Sequence, residues 1–247
     1  MDIDDRGIIL SIRKFGENSA IITLLTSSHG IYAGFDRQVT SKAKRGIYQI
    51  GNIVEMNWKA RLDEQLGSLR CELLDPIAAK VMCERKKLAA LNCAANLTQR
   101  MLGERDNQPQ IYNQFINFIE NLCAEGDWLA DYVKLEFTLL AAAGFGLDLE
   151  RCAATGQSND LLYVSPKSGR AVSREAGREY HDKLFVLPEF LKNIPHPTPL
   201  PKGEGIEMRE IIQGLKICGY FIEQRIFAPQ GRLLPSARVR FVESLAI

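Results

Sequence analysis

Five short runs rich in β-branched residues fall within the first 75 residues, and each is closed by a turn. Gly7-Ile8-Ile9-Leu10-Ser11-Ile12 and Ala20-Ile21-Ile22-Thr23-Leu24-Leu25 are separated by the polar turn Gly16-Glu17-Asn18-Ser19. Gly30-Ile31-Tyr32-Ala33-Gly34-Phe35 follows a second turn, Ser27-Ser28-His29-Gly30. In Asn52-Ile53-Val54-Glu55-Met56-Asn57-Trp58 the pattern alternates, with Ile53 opposite in phase to Val54, Met56 and Trp58. Residues 66–74 supply a fifth run. Five short strands so closely spaced predict a small closed or partly open barrel. The OB-fold is the commonest five-stranded solution, and it often binds strands of nucleic acid.

From residue 77 to about 146 the period becomes helical. Ile111, Phe115, Phe118, Ile119 and Leu122 share one face, and Trp128, Tyr132, Leu135 and Leu139 form a second stripe, both read as core packing. Asp127 is the expected N-cap, and Gly144 and Gly146 the stop. Residues 147–188 lose periodicity and are rich in Ser, Gly and Arg, which predicts a compact insert of turns and short strands. Residues 188–205 hold Pro188, Pro195, Pro197, Pro199 and Pro201 and are read as a surface loop or linker. Ile211, Leu215, Cys218 and Ile222 mark a final amphipathic helix packing back on the central bundle, ended at Ala228-Pro229-Gln230-Gly231 and followed by a short polar–apolar tail. The expected class is therefore α+β, with a barrel over 1–76 and a helical domain over 77–247 that carries the insert and the Pro-rich loop.

The chain has 247 residues and a formal net charge of +1, so composition alone announces no nucleic-acid partner. The start, Met1-Asp2-Ile3-Asp4-Asp5, is acidic rather than basic and apolar as a secretory signal would be, and no run is long enough to cross a bilayer; the cytoplasm is the expected location. Six cysteines, Cys71, Cys83, Cys93, Cys123, Cys152 and Cys218, include no C-x-x-C pair, and are read as reduced, buried thiols.

Catalytic signatures are missing from the sequence. His29 lies in a turn, His196 between two prolines, and neither they nor His181 sits in an H-E-x-x-H pattern. There is no P-loop, and Gly144-Phe145-Gly146 follows a helix instead of opening one. We expect no catalytic residue, metal or cofactor. Charge, by contrast, is uneven. Between residues 37 and 61 lie Arg37, Lys42, Lys44, Arg45, Lys59 and Arg61, six cations opposed only by Glu55. Phosphates call for such cations, and exposed bases for flat rings, here Phe35, Tyr48 and Trp58, although Trp58 facing the barrel core is the alternative. Residues 40–46 read as a flexible basic loop between strands. Arg13 and Lys14, with Lys59 and Arg61, are further candidates for the same surface.

Several segments resemble the RecO family of bacterial recombination mediators. They are Arg6-Gly7-Ile8-Ile9-Leu10, the run from Gly16-Glu17-Asn18-Ser19 through Thr26, then His29-Gly30, the basic loop after Phe35, residues 147–156 and 163–173, and Arg225-Ile226-Phe227. The resemblance implies an N-terminal OB-fold, a helical domain, and a small zinc-ribbon-like insert. It also implies single- and double-stranded DNA binding, annealing without turnover, and action with RecR and often RecF. Together these load the recombinase RecA onto strands coated by single-strand-binding protein, at the bacterial nucleoid. It further implies a docking site on the helical body for that protein's acidic C-terminal tail, for which Lys80, Arg85, Lys86 and Lys87 are the candidate edge. Where zinc-binding members carry two C-x-x-C pairs, this chain has Cys152, Thr155, Ser173 and Ala176, so the insert is expected to be zinc-free. An RNA-binding OB protein is the alternative reading.

Overall fold

The computed structural model describes residues 1–62, 65–124, 126–192 and 206–245, with Lys42 and Ala43 described by their backbone alone. By internal contacts the chain divides into two compact units, Met1–Glu125 with Pro235–Ile247, and Gly126–Leu234.

The first unit opens with five strands, β1 (Asp2–Phe15), β2 (Ser19–Thr26), β3 (Gly30–Asp36), β4 (Ile53–Lys59) and β5 (Gly67–Asp75), closed into a barrel in the order β1-β2-β3-β5-β4. This is OB-fold topology, with a short helix, α1 (Lys42–Arg45), between β3 and β4. β1 is long enough to serve two neighbours: its first half pairs with β4 and its second with β2, with a register shift between Ile9 and Ser11. Such a bulge sharpens local twist and lets one strand bend around a corner. The seam between β3 and β5 is parallel and pairs only Gly34 with Gly67 and Phe35 with Ser68.

Period-two alternation supplies the barrel interior. Val54, Met56 and Trp58 from β4 meet Ile9, Ile22, Leu24 and Leu69, all at or near zero exposure. Trp58 lies at the short seam and donates its Nε1–H to the Ala33 carbonyl at 3.0 Å. The indole occupies space that side chains at 34 and 67 would need. A Cβ added at Gly67 would lie 2.3 Å from Trp58 Cε2, and one at Gly34 2.6 Å from the Leu69 Cβ.

The same unit continues with α2 (Ile77–Val81), α3 (Arg85–Met101) and α4 (Pro109–Cys123). On α4 the buried set is the expected one, Ile111, Phe115, Phe118, Ile119 and Leu122. α3 packs across β1, and Ile8, Ile9 and Leu10 are consequently all buried.

In the second unit, α5 (Trp128–Leu140) follows Asp127 and buries Tyr132, Leu135 and Leu139 as read, while Trp128 is only half-buried. Gly144, at φ +85°, ends the helical path in the left-handed region that favours glycine. The insert holds a three-stranded sheet of β6 (Leu161–Val164), β7 (Ala171–Ser173) and β8 (Phe185–Val186), ordered β7-β6-β8, with α6 (Arg174–Gly177) after β7. Residues 193–205, most of the expected Pro-rich loop, lie outside the described residues. α7 (Met208–Phe221) packs on α5, where Gly214 faces Val133 closely enough that a Cβ would come within 2.8 Å of Val133 Cγ1.

Two expectations need correction. α7 is not the last helix: the stretch read as a tail forms α8 (Ser236–Leu245), which buries Arg238, Phe241 and Leu245 and packs on α3 in the first unit. Its apolar positions are too sparse to signal a helix without the surface that receives them. Nor are all cysteines buried, since Cys83 and Cys123 are exposed.

The seam makes a direct prediction. Gly67→Ala must displace a fully buried indole, and overpacking of this kind costs about 1–3 kcal/mol. The melting temperature should fall and the Trp58 emission should shift; an unchanged melt would show that the seam has slack.

Candidate nucleic-acid interface

Strand pairing lines up distant cations on the outer surface of the barrel. The end of β1 lies beside the start of β2, that beside the end of β3, then the start of β5 and the end of β4. A single register row therefore runs Arg13–Ile21–Phe35–Ser68–Lys59 across all five strands and meets β1 again at Asp2, at the opposite end of that strand from Arg13. Directly paired residues point to the same face of a sheet, and here every member is exposed or half-buried, so the row faces outward. Lys14 and Phe15 follow Arg13, Arg37 follows β3, and Arg61 lies just past β4, all exposed. Further along the barrel the outward rows are balanced instead: Arg6 pairs with Glu55 and Glu55 with Glu72, and Asp4 pairs with Asn57 and Asn57 with Arg70.

The cations differ in how they are held. Among the described residues no carboxylate pairs with Arg13, Lys14, Arg37, Arg45 or Arg61. Lys59 meets Asp2 at 2.8 Å, but both side chains are more than half exposed, so that pair is weak and exchangeable. Lys44 is different. Its Nζ lies 2.6 Å and 2.8 Å from the two oxygens of Asp36, whose side chain is only 5% exposed. The Tyr48 hydroxyl and the Gln38 amide donate to the same carboxylate. Lys44 is thus a structural counter-ion, and the side chain of Lys42 lies outside the described residues.

The basic loop is correspondingly less free than its composition suggested. It contains α1, and it is tied to the β1–β2 turn, because the Val39 amide donates to the Asn18 carbonyl at 2.9 Å and the Thr40 hydroxyl to Asn18 Oδ1 at 2.7 Å. Arg45 donates its Nε–H to the Thr40 carbonyl at 3.0 Å and keeps the rest of its guanidinium exposed. The loop cations are therefore presented from an anchored segment.

Two of the three rings expected to stack on bases are inside. Trp58 is fully buried on the inward phase of β4, and Tyr48, in the turn after α1, is 7% exposed with its hydroxyl on Asp36. Phe35 is half-buried on the outside. The ring that sequence reading missed is Phe15, 61% exposed and edge-on to Phe35 with centroids 5.7 Å apart. Its only sequence signal is a large ring set between Arg13-Lys14 and the glycine of a turn.

The second cationic edge is mixed. Lys80 pairs with Asp75 at 2.6 Å and Lys87 with Glu84 at 3.0 Å, whereas Arg85 and Lys86 are exposed with no carboxylate partner among the described residues. Exposed Leu74 and Met82 lie next to this edge in the chain. His29 is bonded locally, its Nδ1 2.7 Å from Asp5, which also receives the Ser27 hydroxyl, so the group is a turn clasp. His181 is exposed, and His196 lies outside the described residues.

The insert tests whether a zinc ion fits. Cys152 is fully buried; its Sγ lies 3.4 Å from the Ser173 hydroxyl and accepts the Ser173 amide at 3.2 Å. Burial pushes this thiol up, but hydrogen bonds from Ser173 and Thr155 outweigh it and bring it down to about 6. One thiol and two hydroxyls already bonded to it do not make a tetrahedral zinc site, and no group of three or more His, Cys, Asp or Glu that could hold a metal occurs among the described residues. No helix among them is long and apolar enough to cross a membrane.

A five-stranded barrel of this order, followed by helices, defines an OB-fold protein with an appended helical region. Two family models match it: Recombination protein O N terminal over residues 1–77 and Recombination protein O C terminal over residues 84–233. Curated relatives named DNA repair protein RecO span nearly the whole chain. That of Rhodospirillum rubrum is 42% identical over 98% of this chain and 95% of its own, and that of Rickettsia akari 38% over 98% and 97%. That of Methylocella silvestris is 39% identical over 96% and 93%. The chain belongs to the RecO family, and its role lies in DNA repair and recombination.

The Asp36 clasp carries a pH signature. Burial alone would raise this carboxyl, but Lys44, Tyr48 and the Gln38 amide hold it below the usual carboxylate range. A depressed carboxyl stabilises the fold fully above its unfolded pKa and loses that contribution as pH falls through the folded value, here below about 4. Asp36→Asn should be less stable by about 2 kcal/mol at pH 7 and should show a shallower acid limb. Melting curves of both proteins from pH 7 to 3 check this; parallel acid limbs would remove Asp36 from the account.

Proposed function

We propose that this protein binds single- and double-stranded DNA on the cationic outer surface of the barrel and anneals complementary strands without nucleotide hydrolysis. It acts with RecR and often RecF to help load RecA on strands coated by single-strand-binding protein, in the bacterial cytoplasm at the nucleoid. The observation that carries the reading is the register row that sets Arg13 and Lys59 on one outward face, with Arg37, Arg45 and Arg61 beside it. OB-folds bind oligonucleotides on the strand 2–3 face and at the β1–β2 and β4–β5 loops, which are the segments these cations flank. Phosphate contacts are independent of base sequence, as an annealing protein requires. No turnover is assigned, since the sequence carries no nucleotide-binding loop and the family resemblance implies none.

The test is annealing of complementary oligonucleotides coated by single-strand-binding protein, without nucleotide, together with salt titrations of binding. Replacing Arg13, Arg37 and Arg45 by alanine should slow annealing and flatten the slope of log affinity against log salt by about two units for a single strand, at about 0.7 per phosphate contact. The melt should barely move, since all three are exposed. Equal slopes in wild type and variant would place the DNA elsewhere, and a preference for RNA over DNA of equal length would turn the reading toward an RNA-binding protein.

The edge formed by Lys80, Arg85, Lys86 and Lys87 is the proposed seat of the acidic tail of single-strand-binding protein, with Leu74 and Met82 beside it for the tail's apolar end. Neutralising all four cations should weaken binding of a tail peptide roughly tenfold, about 1.4 kcal/mol, while leaving oligonucleotide affinity unchanged. A peptide bound equally well by the variant would put the docking site on another surface.

A further inference from the structure

We propose that Phe15, braced by Phe35, is a base-stacking platform that makes the barrel surface prefer single strands over duplex. The inference rests on the proposed DNA-binding role of the cationic barrel surface. An exposed phenyl ring is an apolar surface with no internal use: Phe15 is 61% exposed, whereas Tyr32, Tyr48 and Trp58 are buried and Phe35 is half-buried. The ring is not left to swing freely. Phe35 stands against it at an interplanar angle of 85° and is held in the register row between Ile21 and Ser68. An edge-to-face contact with a half-buried ring fixes the orientation of the outer one and leaves a flat face open.

The surroundings select the occupant. Arg13 and Lys14 precede the ring, Ser19 is its direct partner across the hairpin, and the Ser19 hydroxyl donates to the backbone carbonyl of Arg37. A flat apolar face with exposed Arg13 and Lys14 before it in the chain, and Glu17 as the one carboxylate of the adjoining turn, fits a polyanion with unsatisfied π-faces, which is a nucleic-acid strand whose bases are unpaired. In a duplex the base faces are already covered by their neighbours, so the ring contributes nothing there and only the phosphate contacts remain. Strand preference therefore comes from Phe15, and general affinity from the cations.

The experiment measures Phe15→Ala, Phe15→Leu and Phe15→Trp against an oligothymidylate, its abasic counterpart and a duplex, with the Arg13, Arg37 and Arg45 triple variant alongside. Stacking on one base corresponds to about tenfold in affinity. Phe15→Ala and Phe15→Leu should lose about that much on the oligothymidylate, nothing on the abasic strand or the duplex, and keep the wild-type salt slope. Phe15→Trp should retain affinity, and its new indole should be quenched by the oligothymidylate and not by the abasic strand. If Phe15→Ala binds every probe as wild type does while the cation variant loses affinity, the platform is refuted and the DNA-binding reading stands. Equal losses on strand and duplex, or full activity in Phe15→Leu, also overturn it, because either would mean apolar contact without stacking. If the cation variant binds as tightly as wild type, the DNA-binding reading falls and this inference with it.

Discussion

Closure of the barrel turns on the seam where β3 runs parallel to β5 for two residue pairs. So short a ladder cannot hold two strands by backbone hydrogen bonds alone. Trp58 supplies what is missing: it fills the interior behind the seam and gives a donor to the Ala33 carbonyl. Gly34 and Gly67 are required by that solution, since a methyl group at either would collide with the core. Closing the barrel also removes the unpaired strand edges that an open five-stranded sheet would expose.

The candidate interface is a consequence of that closure. Arg13, Arg37 and Lys59 belong to three strands or their ends, and it is the β3–β5 closure that joins them along one outward row. The polar interior of the β3–β4 connection adds a second level of control. Asp36 is a buried anion whose desolvation is offset by Lys44, Tyr48 and a backbone amide, and with Asn18 it anchors the loop that carries Arg45. A cation that looked available for phosphate is thus the device that positions its neighbours. Presenting cations from an anchored loop lowers the ordering cost of binding a strand, which is the general advantage of preorganisation.

The insert is held by packing and by hydrogen bonds around one buried thiol. Cys152, Thr155 and Ser173 lie close together, joined by hydrogen bonds to the Cys152 sulfur. The three-stranded sheet is held by Leu161, Val164, Ala171 and Val172, all buried.

Much of this was legible in the chain. Alternation in 53–58 put Val54, Met56 and Trp58 in one phase opposite Ile53, and the barrel makes that phase the buried one, because a period of two decides which residues share a face. The helical stripe of α4 and the glycine at 144 were equally direct, and the barrel class followed from strand number and spacing. The use of each polar side chain was not legible. Lys44 and Arg45 are adjacent and chemically similar in sequence, yet one is the half-buried counter-ion of Asp36 and the other faces solvent, because Asp36 lies within reach of only one of them. Phe15 gave almost no signal, since a ring at a strand end is inside or outside according to the barrel's curvature and the residue beneath it. α8 was invisible for the same reason: Phe241 and Leu245 define a buried face only when α3, far away in sequence, provides the surface. Local periodicity is a property of the chain, and the sequence alone determined it; which charges pair, which rings stay exposed and which distant segments meet are set by contacts between remote residues, and the tertiary structure alone decided them.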